Sequence, residues 1–229
     1  MKAELLRYSF KHNLGHIPSA LSMFNYVEEL FVNGLVKQDD KIILGKPFGA
    51  QTYYVIWKHL GWVDDIDNLS VAVKHDEIPF VTFSEETIGD SLGVATGIAM
   101  TTDKLVWVNL TDATLQMGAT LEAIQFIGHN KLKNILVTID YNNAQVTGNT
   151  NDIINVDPVI GFFEGNGWDV IHDDLAQFYI GDKPKVFVMH TIKGNGIQRM
   201  MDNQKMWHYR KIASEEELES LIKEIDNAN

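Results

Sequence analysis

The sequence predicts an α/β fold: a doubly wound, mostly parallel sheet flanked by helices. Two apolar runs, LVWVNL (105–110) and NILVTID (134–140), are separated by a helix-length segment from Leu115 to Asn130 that carries Leu121, Ile124, Ile127 and Gly128. Near-continuous apolar strands joined by an amphipathic crossover are the mark of a βαβ unit in a parallel sheet buried on both faces. Two later runs, GWDVIHD (167–173) and KVFVMHT (185–191), extend the same alternation.

The remaining elements follow in order. From Ser19 to Val32 apolar residues recur at helical spacing (Leu21, Phe24, Val27, Leu30, Phe31), with Gly34 as the stop. KIIL (41–44) is a short strand, and 50–60 reads as a helix. Between Ile88 and Met100 the small residues Gly89, Gly93, Ala95, Gly97 and Ala99 predict a helix that a neighbouring backbone approaches closely. The C-terminal helix opens on a capping box, Ser214 with Glu217, and places Leu218, Leu221, Ile222 and Ile225 on one face. No repeat, low-complexity tract or linker divides the chain, so 1–229 reads as one domain.

Composition narrows the function. The 229 residues are 45% hydrophobic, enough for one substantial core. A net charge of −12 argues against nucleic acid as a partner. A phosphorylated ligand would therefore need a metal ion or a helix N-terminus to hold it. With no cysteine, thiolate chemistry and disulfides are excluded. The N-terminus MKAELLRYSFKHN lacks a signal peptide's apolar stretch, and no apolar run approaches the roughly 18 residues of a membrane span. The expectation is a cytoplasmic protein with no membrane association.

In a doubly wound sheet, ligands bind beyond the carboxyl ends of the strands. The loops there begin Thr111-Asp112-Ala113 and Tyr141-Asn142-Asn143-Ala144. Asp112 and Asn142 lie thirty residues apart, so one βαβ unit brings a carboxylate and an amide oxygen to the same edge. Such hard oxygen donors suit a magnesium diphosphate. The local alternative is that Asp112 caps the following helix and Asn142-Asn143 make a turn. A dinucleotide-binding loop is set aside, because the turn at Thr111 has no Gly-x-Gly-x-x-Gly.

The spacing of Asp112 and Asn142 resembles the Gly-Asp-Gly…Asn-Asn fingerprint of thiamine diphosphate enzymes, and the flanking segments resemble the transketolase family. GHIPSALS (15–22) is similar to its Gly-His motif, ILGKPFGAQTYYVIWKHLG (43–61) to its "KGH" region, and PFVTFSEETIGDSLGVATGIAM (79–100) to its "STGSLGQGLSVAVGMA" region. LEAIQFIGHNKLKNILVTIDYNNAQVTGNT (121–150) resembles the run leading through "KLxN" into a strand and "DxN". GNGWDVI (165–171), HTIKGNGIQRM (190–200) and MWHYR (206–210) resemble "GW", "HTxKGxGV" and "WHG". The order holds from about Leu14 to His208.

The resemblance implies the diphosphate-binding domain of a thiamine diphosphate fold, serving as the N-terminal subunit of a split transferase. Asp112, Asn142 and the backbone carbonyl of Ala144 are the implied magnesium ligands. Thr87, Ile88, Gly89, Ala113, Val146 and His208 join Asp112 and Asn142 as implied contacts to thiamine diphosphate. His16 and His208 are the implied catalytic residues, facing substrate hydroxyls. A separately encoded C-terminal subunit would supply the catalytic glutamate, with active sites between chains in an α2β2 assembly, and helices 88–100 and 115–130 as candidate interface elements.

The chain also departs from the pattern. Thr111 and Ala113 replace both glycines of Gly-Asp-Gly, Met117 stands for a glutamate that links paired sites, and Phe48 stands for the histidine of "KGH", whereas Lys46 is kept. The implied activity in carbohydrate metabolism is transfer of a two-carbon ketol unit between sugars, or of an acyl unit from a 2-keto acid. The alternative is an inactive scaffold or regulatory subunit, which the altered Gly-Asp-Gly motivates.

Overall fold

The computed structural model describes residues 1–67, 69–70, 72–74 and 77–228, with only the backbone at 228. In chain order these form α1 (Lys2–Lys11), α2 (Ile17–Val32), β1 (Lys41–Leu44), α3 (Gln51–His59), β2 (Val81–Ser84), α4 (Ser91–Ala99), β3 (Val106–Thr111) and α5 (Gly118–His129). Then come β4 (Ile135–Tyr141), α6 (Thr150–Ile153), α7 (Asp157–Gly165), β5 (Asp169–His172), β6 (Lys185–His190), α8 (Gln198–Asp202), α9 (Gln204–Trp207) and α10 (Glu215–Ala228). The chain divides into two compact units, Met1–Asn33 with Phe48–Ala72 and Thr191–Asn229, and Gly34–Pro47 with Val73–His190.

The second unit holds a six-stranded sheet of order β2-β1-β3-β4-β6-β5, parallel at every pairing. From β1 the chain steps outward to β2 and returns to lay β3 on the other side of β1. The connections leaving β1 and β3 therefore diverge, which is the switch point of a doubly wound sheet. Ile43, Val108, Val137 and Val186 form a register-linked row across four strands, each 1% exposed or less. Burying each such side chain contributes about 1.5–3 kcal/mol. Leu92, Ala95 and Ala99 of α4 and Ala123, Ile124 and Ile127 of α5 belong to the same core.

Two expectations change here. The small-residue helix starts at Ser91, and Gly89 lies before it with φ +135. An added Cβ at Gly93 or Gly97 meets nothing within 4 Å, so the predicted close approach to that helix is not made within this chain. It occurs instead at Gly128 of α5, where a Cβ would come within 1.8 Å of the Asn166 carbonyl oxygen. The segment read as one helix from Leu115 is broken by extended backbone at Met117 (ψ 130), which separates a 3-10 turn at Asp112–Gln116 from α5.

The first unit is helical. Twelve residues of α2 are buried, including the expected Leu21, Phe24, Val27, Leu30 and Phe31, so helical periodicity in the sequence is read out as a core face. Thr52 Oγ1 donates to the Ala20 carbonyl (2.8 Å), tying α3 to α2, and Tyr8 Oη donates to the Ile66 carbonyl (2.7 Å). Ahead of α10, Ser214 Oγ accepts from Glu217 N (3.2 Å), while the Glu217 carboxylate accepts from Ala213 N (2.7 Å). The return bond thus falls one residue upstream of the expected box. Among the described residues no helix is long and apolar enough to cross a membrane.

Candidate functional site

The carboxyl ends of β1, β3 and β4 carry the polar residues that the topology selects. The register pairs Thr111 with Asp140, so Asp112 and Asn142 leave adjacent strands at the same level. Asp112 is fully buried. Its Oδ1 accepts from Ala113 N (2.7 Å) and Thr111 Oγ1 (3.2 Å), and its Oδ2 is a buried acceptor with no hydrogen-bond partner. Burial first, and then the neighbouring Asp140 charge, raise the Asp112 carboxyl above the ordinary aspartate value.

Asn142 Nδ2 donates to Asp140 Oδ2 (2.8 Å), and its Oδ1 accepts from Ala144 N (2.9 Å), an Asx turn. Asp140 also pairs with Lys46, which comes from the end of β1; both side chains are buried. Asn143 takes φ +53, and its Oδ1 accepts from Asn151 N (2.8 Å). Asn151 Nδ2 in turn donates to Asp157 (3.0 Å), whose carboxylate also accepts from the Tyr141 hydroxyl. Burial and the Asp157 carboxylate raise the Tyr141 phenol far above its ordinary value. Gln145 N donates to the Gly148 carbonyl (2.9 Å), leaving Val146 exposed at the loop tip. Both local alternatives are thus partly realised, since Asn142-Asn143 do form a turn.

The loop after β2 is organised by Glu85. Its carboxylate accepts from Gly89 N (3.2 Å), Asp90 N (3.0 Å) and Ser91 N (2.9 Å), closing the N-terminus of α4. Burial raises the Glu85 carboxyl, and these hydrogen bonds oppose the rise. Thr87 is exposed and Ile88 half-buried. Gly89 is buried, its carbonyl accepting from Thr120 Oγ1 (3.2 Å), with Met117 packed 3.3 Å from where a Cβ would sit.

These donors fit a hard divalent cation. Asp112 offers an unengaged buried carboxylate oxygen, and Asn142 Oδ1 and the Ala144 carbonyl are neutral oxygens one strand away. Among the described residues no group of three His, Cys, Asp or Glu is placed to hold a metal. A cation here would rely on amide and carbonyl oxygens and on oxygens brought by its ligand, as magnesium does with diphosphates. Ala113 is buried with its N–H committed to Asp112. A broad groove lined by Met100, Lys104, Lys131 and Lys133 lies at the opposite, amino-terminal ends of β3 and β4 and contains none of these residues.

The two histidines belong to the first unit and are brought together there. His16 caps α2 in the left-handed conformation (φ 57). Its ring stacks on Phe48 (4.5 Å, 18°) and meets His208 (5.1 Å) and Tyr209 (4.9 Å) edge-on. Gly15 makes this possible, because a Cβ there would lie 2.7 Å from the Tyr209 carbonyl oxygen. Gln51 Nε2 donates to the Gly15 carbonyl (3.0 Å), and Lys193 Nζ lies 3.0 Å from His208 Nδ1.

Sequence reasoning kept Lys46 but passed over Asp140, Glu85, Lys193 and Tyr209 as site residues. Asp140 stands in the quoted "DxN" and Lys193 in "HTxKG", so a signal was present for both. Glu85 and Tyr209 had none, since a cap reaching four to six residues ahead and an exposed tyrosine carry no spacing rule.

An all-parallel doubly wound sheet with a buried carboxylate and an amide at its switch point defines a cofactor-binding α/β domain of the diphosphate-anchoring kind. Residues 94–216 match the family described as "Transketolase, thiamine diphosphate binding domain", and the chain belongs to that family. It is 24% identical to one separately encoded polypeptide of apulose-4-phosphate transketolase from Phocaeicola vulgatus, over 98% of this chain and 90% of that protein. The corresponding polypeptide from Actinobacillus succinogenes is 26% identical, over 92% and 87%. Transketolase-like protein 2 of Homo sapiens is 25% identical over 99% of this chain but only 41% of its own length. Transketolase from Leishmania mexicana shares the fold, with a TM-score of 0.75 at 15% identity, over 99% of this chain and 43% of that one. The chain therefore spans less than half the length of these longer relatives.

Proposed function

We propose that this chain is the diphosphate-binding subunit of a two-chain transketolase-type transferase that uses thiamine diphosphate and magnesium. The observation that carries the reading is the fully buried Asp112 with an unengaged Oδ2, one strand from Asn142. A carboxylate kept in that state costs stability, and a bound cation would recover it. The two bacterial relatives named as single subunits of a transketolase are matched almost end to end, which supports a separate partner. That partner would supply a catalytic glutamate in an α2β2 cytoplasmic assembly.

In this reading Asp112, Asn142 Oδ1 and the Ala144 carbonyl hold magnesium and through it the diphosphate. The Thr87-Ile88-Gly89 backbone, Ala113 and Val146 shape the surrounding contact. Thiamine diphosphate, when bound, supplies the carbon nucleophile that accepts and passes on a two-carbon ketol or related acyl unit. His16 and His208 bind substrate hydroxyls and hold or release a proton at their ring nitrogens. The substrates would be sugars or keto acids. Phe48, stacked on His16, replaces a polar group with an apolar ring face and favours a donor or acceptor that differs from the family's usual sugars.

Calorimetric titration of thiamine diphosphate with magnesium, into the chain alone and with its candidate partner, tests this. Saturable binding that needs magnesium and is abolished by Asp112→Ala is the expected result. A stable complex with the partner and no binding would instead identify a scaffold, the reading that the loss of both glycines around Asp112 favours.

A further inference from the structure

We propose that Lys193 is a positioning residue that holds His208 uncharged and in its Nε2–H tautomer, so that His208 meets a ligand as a hydrogen-bond donor. Lys193 Nζ is 3.0 Å from His208 Nδ1, and the lysine is only 2% exposed. An ammonium has three protons and no acceptor site, so the proton in this contact belongs to the lysine and Nδ1 must receive it. The ring proton of a neutral imidazole then resides on Nε2. A second proton on the ring would remove the acceptor and set two cations about 3 Å apart in a poorly solvated place, which is strongly unfavourable.

Both partners are fixed by the backbone around them. Gly194, at φ +88, leaves no room for a Cβ, which would lie 2.7 Å from Met200 Cβ, and its N–H donates to the Pro18 carbonyl (3.0 Å). His208 follows α9, its N–H donating to the Lys205 carbonyl (3.3 Å), and the next residue's carbonyl is seated over Gly15. The titratable groups facing the ring are Lys193, the His16 imidazole edge-on at 5.1 Å and the Tyr209 phenol edge-on at 4.6 Å. Arg210 stacks on Trp207 and pairs with Glu217. The group with a formal charge against the ring is therefore the lysine.

The catalytic consequence rests on the function proposed above: of the two histidines, His208 would donate to a substrate or cofactor oxygen, and taking up a proton would fall to His16. The tautomer itself rests on geometry alone, and its test uses the free full-length chain without cofactor or partner. Long-range proton–nitrogen correlation of the histidine rings, with the His208 signals assigned by their loss in His208→Gln, reads tautomer and charge directly. The expected spectrum shows His208 as the Nε2–H form at neutral pH, still uncharged near pH 5.5 where an ordinary imidazole of pKa about 6.5 is mostly protonated. In Lys193→Met, proton affinity at His208 should rise about tenfold or more, and Lys193→Arg should restore the wild-type behaviour. An Nδ1–H form in the wild type overturns the proposal, as does coincident titration of wild type and Lys193→Met. Should Lys193→Met fail to fold, wild-type His208 protonating like an ordinary imidazole overturns it equally. Because no cofactor is present, either failure leaves the magnesium-dependent binding reading untouched.

Discussion

Asp140 decides which end of the Asn142 amide is oxygen: Nδ2 of Asn142 donates to Asp140 Oδ2 at 2.8 Å, which turns Oδ1 toward the Ala144 backbone at 2.9 Å. The carboxylate that orients the amide is itself balanced by buried Lys46. Three strand ends thus cooperate in presenting one neutral oxygen.

Asp140→Ala should therefore be severe for a reason separate from any ligand. It leaves the Lys46 ammonium buried without its counter-charge, which costs about 3–5 kcal/mol. Urea unfolding of the free chain measures it. Adding Lys46→Met to Asp140→Ala should recover part of the loss, since an uncompensated charge is then no longer buried.

Asp112→Asn should stabilise the free chain near neutral pH by about 0.5–2 kcal/mol, the range common for relieving a functionally strained position. Burial and Asp140 raise the folded-state pKa of Asp112. The folded chain then holds the proton more tightly than the unfolded chain, so the protonated form's contribution is full below about pH 3.9 and is lost as pH rises through the folded value. The advantage of the asparagine variant should accordingly shrink as pH falls toward 4. Thermal unfolding across pH, with and without magnesium diphosphates, separates this from lost binding.

Gly89→Ala should cost about 1–3 kcal/mol, because φ +135 is a conformation that a side chain adopts only under strain. The added methyl also meets Met117 Cγ at 3.3 Å. Combining it with Met117→Ala should relieve only the contact, and a double variant as stable as wild type would show that backbone conformation contributes little.

Gly15→Ala should act on the histidine pair. A Cβ at 2.7 Å from the Tyr209 carbonyl forces the 206–209 segment away from His16. In the reconstituted two-chain enzyme the expected loss in kcat/KM is about 10–100-fold, the scale of a small misplacement of reacting groups. Magnesium-dependent cofactor binding should change little. Equal loss in both would place Gly15 in general folding instead.

The parts of the fold that repeat were legible. β3, β4 and β6 are runs of six or seven residues with near-complete burial, and α2 shows helical spacing over four turns. β2, four residues in a loop-like context, and α1, rich in polar residues, carry no such periodicity and were not read. Within the site, Asp112 and Asn142 were legible because strand ends fix them. The Lys46–Asp140 pair joins residues ninety-four apart, and the Lys193–His208 contact depends on a turn at Gly194, neither of which local spacing encodes. The small-residue face of α4 misled because Gly93 and Gly97 are open to solvent within this chain.

The unengaged oxygen of Asp112 ties the chain's durability to its nutrition. A ligand that binds only the folded form adds RT ln(1 + [L]/Kd) to stability, about 2.7 kcal/mol at a hundredfold excess over Kd. A cation on that oxygen would make a loaded chain measurably harder to melt than an empty one. In a cell that degrades what unfolds, empty copies would be cleared first, and the amount of this protein would follow the supply of the vitamin-derived cofactor with no dedicated regulator.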